Sequence, residues 1–64
     1  MTAAQFNQRY PVGTFVRYFP VKGREEFTPT ATRSEAWELG HGQAVVSLVG
    51  FSGGKSLDHV VVDR

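Results

Sequence analysis

Three constellations in this sequence of 64 residues have side chains whose types and spacing could do chemistry. The first, Gly50-Phe51-Ser52-Gly53-Gly54-Lys55-Ser56, ends in the Gly-Lys-Ser of a phosphate-cradling loop, in which backbone N–H groups and a lysine hold phosphate oxygens. That loop also needs a glycine five positions before its last one, and Val49 stands there. It must then open a long helix, for which the chain has no room. The segment is therefore expected to be a glycine-rich hairpin, whose N–H groups and Lys55 form a weak anion nest at most. The second constellation is His41, Asp58, His59 and Asp63. Zinc takes three or four ligands in tight geometry, and two histidines on different loops with no cysteine make a poor start. Nucleophilic catalysis needs Ser or Thr held beside a histidine that a third group orients, which adjacency of Asp58 and His59 does not supply. These residues are read as hydrogen-bonding turn residues, and no catalytic residue, metal or cofactor is expected.

The third constellation is an interleaving of aromatic and basic side chains: Phe15, Arg17, Tyr18 and Phe19, then Lys22 and Arg24, with Arg33 and Trp37 further along. Stacking combined with phosphate contact is how small β-barrels grip single-stranded nucleic acid, each stacked base contributing about 1–3 kcal/mol. Five Phe, two Tyr and one Trp are also what a short chain needs for its own core. A formal charge of +1, from seven basic and six acidic side chains, is too weak a field to argue for DNA or anionic lipid by itself. The reading favoured is a non-catalytic binding module whose surface, Phe15, Arg17, Phe19, Lys22, Arg24, Arg33 and Trp37, contacts another protein or a second copy of the chain. Nucleic acid is the alternative occupant. A third reading is a small oligomeric enzyme with a site shared between subunits, because one copy cannot enclose a substrate of any size.

The elements that must position these residues are mostly strands. Thr14-Phe15-Val16-Arg17-Tyr18-Phe19 is rich in β-branched and aromatic residues, and period-two geometry sends Thr14, Val16 and Tyr18 to one face and Phe15, Arg17 and Phe19 to the other. Both faces carry large apolar groups, so one is expected to meet a partner. Pro20 ends this strand, and Val21 to Glu26 reads as a charged loop. In Phe27 to Ser34, threonines alternate along a strand that Pro29 confines to an edge or a strand start. Ser34 to Gly40 fits either a single helical turn or a strand, with Trp37 and Leu39 as its apolar anchors. Ala44 to Val49 is the strongest strand signal, and Lys55 to Val62 divides into a short strand, a turn at Asp58 and His59, and a last strand. Before all of these, Thr2 and Gln5 have the spacing of a capping box, which predicts a short N-terminal helical turn ahead of Pro11.

A chain of this length supports one hydrophobic core, hence one domain over residues 1–64. Without cysteine it has neither disulfides nor thiolate metal sites, which points to a reducing cytoplasmic setting. No apolar run approaches the roughly 20 residues that cross a bilayer, and Met1 to Gln8 lacks the basic start and apolar stretch of a signal peptide. No membrane partner is expected. Association into homo-oligomers is, because burying apolar surface between subunits is one of the few remedies for a thin core.

The expected fold is all-β, a small barrel or strongly bent antiparallel sheet of four to five short strands. Val12 to Tyr18, a long loop, Gln43 to Val49, and Lys55 to Val61 together resemble an SH3-like barrel, with a strand entered by glycine, a central hairpin, and a turn into the last strand. Within that class the chain is similar to the plasmid-encoded dihydrofolate reductases, a resemblance that implies a homotetramer with one pore-like active site. It also implies a Val-Gln-Ile-Tyr stretch in the penultimate strand. Lys55-Ser56-Leu57-Asp58 stands there instead and matches none of the four positions, so no catalytic residue carries over. Thr32 to Gly40 further resembles segments of small proteins from bacterial plasmids, phages and integrated elements.

Overall fold

The Thr2 hydroxyl accepts from the Gln5 N–H at 3.1 Å, and the Gln5 side chain accepts from the Thr2 N–H at 2.9 Å, completing the capping box that their spacing predicts. In the computed structural model, which describes residues 1–63, this cap opens helix α1 (Ala3–Arg9). Seven residues are too few to hold a helix on their own. α1 is held by burial of Ala3 and Phe6 and by Asn7, whose side chain accepts from the Ala36 N–H at 2.7 Å and donates to the Ala36 carbonyl at 2.9 Å.

The strands that follow are β1 (Phe15–Tyr18), β2 (Thr28–Ala31), β3 (Trp37–Glu38), β4 (Ala44–Val46), β5 (Lys55–Ser56) and, after a 3-10 turn at Leu57–His59, β6 (Val60–Val62). They pair antiparallel throughout, in two three-stranded sheets of order β2-β1-β6 and β3-β4-β5. The chain passes from one sheet to the other between β2 and β3. There Thr32 bridges Leu48, the Arg33 N–H donates to the Ser47 carbonyl at 3.0 Å and the Val49 N–H to the Ala31 carbonyl at 2.9 Å. The result is the all-β class expected, as two short bent sheets plus one helix; the hydrogen-bonded ladders do not close into a continuous barrel among the described residues.

Two local features turn on the choice of residue. Pro29 lies in β2, an outer strand of its sheet, where a missing N–H breaks no ladder bond. Within Ser34 to Gly40, open between turn and strand from its sequence, no helical turn forms and Trp37–Glu38 is strand: Trp37 pairs with Val45, and the Leu39 N–H donates to Gln43 at 2.8 Å across a turn in which Gly42 has φ +86°. That left-handed position is one that glycine fills without strain.

The core is one cluster, Ala3, Phe6, Val16, Ala36, Val46 and Leu48, with Tyr10, Tyr18, Phe51, Leu57, Val60 and Val62 packed around it. The β1 alternation sends Val16 inward to 1% exposure. Thr32 is the one buried polar side chain among the described residues, and its hydroxyl accepts from the Gly13 N–H at 3.0 Å, which removes the cost of an unpaired buried oxygen.

On the outer side of the second sheet, Trp37 lies across Gly54. A Cβ at Gly54 would meet the indole and Val45 at 2.9 Å. Gly54→Ala is therefore expected to destabilise the fold by about 1–3 kcal/mol through overpacking, measured by urea unfolding with Trp37 fluorescence as the probe. Unchanged stability and unchanged emission would show that the indole yields freely and that the glycine serves no packing need.

Candidate contact surface

Period two dictates that if Val16 and Tyr18 face the core, Phe15 and Arg17 face away from it. Phe15 is 71% exposed, the largest fraction among the large hydrophobic side chains described. Across β1 the register sets Phe15 opposite Ala31 of β2, and Arg17 opposite Pro29 on one side and Val61 of β6 on the other. The Asp63 N–H donates to the Phe15 carbonyl at 2.9 Å, which brings the Asp63 carboxylate to 3.3 Å from the Arg17 guanidinium. Arg17 also lies over the Phe27 ring at 5.0 Å, and Phe27 meets Phe19 at 5.5 Å. The outer side of the first sheet is thus a continuous apolar and aromatic face with one ion pair embedded in it.

Phe15, Pro29, Ala31 and Val49, with Val16, Thr30 and Asp63, line a groove of about 440 Å³ on this face. Phe19 is half-buried, and its backbone is clamped by His59. Its N–H donates to the His59 carbonyl at 2.8 Å, and its own carbonyl lies 2.8 Å from His59 Nδ1. A carbonyl oxygen can only accept, so Nδ1 carries the hydrogen. His59 is thereby the hydrogen-bonding turn residue that its sequence position suggests.

Lys22 and Arg24 are exposed in the loop that leaves β1, with Lys22 Nζ at 4.0 Å from Asp58. The other two candidate residues lie elsewhere. The Arg33 guanidinium donates to the carbonyls of Leu48 at 3.1 Å and Phe51 at 2.9 Å, so it fastens the crossover between the sheets. Trp37 is on the second sheet, 40% exposed, covering Gly54 and the buried Val45. Phe27, Val49 and Val61 belong to the face and were not singled out from sequence. Val61 stands in a run of three valines where no alternation is visible, and Val49 joins the face only because its N–H reaches Ala31.

Ser56 Oγ accepts from Gln43 at 2.8 Å and from the Asp58 N–H at 3.2 Å, and lies with His41 and Asp58 in a second pocket of about 410 Å³. No serine or threonine hydroxyl is hydrogen-bonded to a histidine, and no three His, Cys, Asp or Glu groups gather as metal ligands, among the described residues. Lys55, at the end of the glycine-rich hairpin, lies 5.9 Å over the rings of both Tyr18 and Phe51. No helix among the described residues is long and apolar enough to cross a membrane.

Charge on the face is balanced. Arg17 faces Asp63, Lys22 faces Asp58, and Arg24 is followed by Glu25 and Glu26. Such exposed pairs add little stability, yet they leave no cationic surplus of the kind that phosphate binding draws on. Comparison with protein-family models, with curated proteins and with solved structures finds no match to this chain, so no relative adds a function to what the face itself offers.

Proposed function

We propose that this chain is a non-catalytic binding module that contacts another protein, or a second copy of itself, through the outer face of the β2-β1-β6 sheet. The observation that carries this reading is Phe15, a large aromatic side chain left 71% exposed on the central strand of that sheet. Burying such a side chain is worth about 1.5–3 kcal/mol, a gain that folding leaves unused and association can collect. Phe27, Val49 and Val61 extend the apolar area around it, and Lys22 and Arg24 in the loop after β1 give it a polar rim, the usual anatomy of a protein contact. The element order supports an SH3-like relationship: a long loop after β1, a short one after β3, a glycine-bearing hairpin after β4 and a 3-10 turn before the last strand. The lack of cysteine supports a cytoplasmic setting.

Phe15→Ser is expected to keep the far-ultraviolet circular dichroism spectrum and, in dilute solution, to change stability by no more than about 0.5 kcal/mol, as surface substitutions do. Loss of the folded spectrum would make Phe15 a core residue and end the proposal. In parallel, single- and double-stranded oligonucleotides titrated across a salt series are expected to give no salt-dependent binding. A steep salt slope would transfer the face to nucleic acid.

A further inference from the structure

We infer that the occupant of this face is a second copy of the chain, related by a two-fold axis, with each copy's Phe15 entering the other's groove between Pro29, Ala31 and Val49. The inference rests on the binding-module reading and goes further by naming the partner. A two-fold interface must be self-complementary, because the same patch meets itself and every contact occurs twice. This face meets that condition in shape. A protruding aromatic, Phe15, stands directly beside an apolar groove of about 440 Å³ that it helps to line. Crossing two such faces places each ring in the other's groove and brings the two rings together.

Charge meets the same condition. Around the face and its loop stand three cations, Arg17, Lys22 and Arg24, and four carboxylates, Glu25, Glu26, Asp58 and Asp63, so both signs are interspersed and nearly offset. A patch of one sign would repel its own copy; a mixed patch can set its cations against the other copy's carboxylates. A polyanion or an acidic peptide would call for a surplus of cations, which the Arg17–Asp63 pair reduces at the centre of the patch.

The fold also narrows the mode of association. Extension of the first sheet through β2 is hindered because Pro29 offers no N–H to an added strand, so on that side of the sheet, where the groove lies, packing through the outer face is favoured over strand addition. A stable interface buries about 800 Å² per partner, roughly a fifth of a surface of 4326 Å², so the contact must reach beyond the three strands to Phe27, Val49 and the loop that carries Lys22 and Arg24. The need for it is visible in the core, where Leu48, Val16 and Val46 are the largest side chains wholly enclosed and no disulfide reinforces them.

The direct test is sedimentation velocity of wild type, Phe15→Ser and Val49→Asp over a concentration series, with His41→Ser on the β3–β4 turn as a control away from the face. The expected result is a wild-type dimer that both face substitutions dissociate, its dissociation constant raised at least tenfold, and that His41→Ser leaves intact. A wild type that stays monomeric at every concentration, with Phe15→Ser folded, would overturn the second copy while leaving a different protein as occupant. A dimer that survives both face substitutions would move the self-contact to another surface. Unfolding of Phe15→Ser would instead defeat the underlying binding reading, and Val49→Asp, placed on an exposed side chain outside the core, still reports on the groove.

Discussion

Truncation of Phe6 to alanine is expected to cost about 3–5 kcal/mol, the usual range for a buried aromatic. Phe6 is 4% exposed, belongs to the central cluster with Val16, Val46 and Leu48, and packs on Tyr10 at 5.1 Å. At about 0.05–0.15 kcal/mol per residue, a domain of this size has roughly 3–10 kcal/mol to lose, so Phe6→Ala should leave a large part of the population unfolded without denaturant. Urea titration followed by circular dichroism measures it. A loss below about 1 kcal/mol would mean that α1 is a detachable arm and that the strands hold together without it.

The second large effect is expected at Asn7. Its side-chain amide satisfies both the N–H and the carbonyl of Ala36, a residue 6% exposed and 29 positions away in the chain. Asn7→Ala leaves a buried N–H unpaired, at about 1–3 kcal/mol, and removes a second hydrogen bond of about 0.5–1.5 kcal/mol, for a total of about 1.5–4.5 kcal/mol. Asn7→Asp keeps an acceptor for the N–H but sets a carboxylate against the carbonyl, so it should recover only part of the loss. Amide hydrogen exchange at Ala36 reads this locally: protection should fall in both variants and fall further in Asn7→Ala. Wild-type protection in Asn7→Ala would show that Ala36 does not depend on the side chain.

Asn7 also marks the boundary of what the sequence makes legible. Features governed by neighbours in the chain could be read: the Thr2–Gln5 cap, the alternation of β1, the edge position forced by Pro29, the glycine-bearing turns and the division of Lys55 to Val62. Features that arise only when distant segments meet could not. Asn7 looks like an ordinary helix residue until Ala36 is beside it. Arg33 looks like part of a basic surface until the carbonyls of Leu48 and Phe51 converge on its guanidinium.

The aromatics show the same division. Alternation correctly sets Phe15 and Val16 on opposite faces, because that follows from strand geometry alone. It does not say which face is covered, and it cannot join Trp37 to Phe15, since the two lie on strands of different sheets. Phe27, just before β2, became part of the contact face through Arg17 and Phe19, neither of which is near it in sequence.

Phe6 and Phe15 together express the central claim: one phenylalanine builds the interior, while the other is surplus to it and serves contact. Stability that depends on association rises with concentration, and stability of a lone chain does not. The most direct measurement is therefore the urea midpoint of wild type and Phe15→Ser over a wide range of protein concentration. The expected curves meet at high dilution, to within about 0.5 kcal/mol, and separate as only the wild type climbs. A variant that lies several kcal/mol below wild type at every concentration, with neither curve sloping, would place the Phe15 ring among the residues the fold cannot do without.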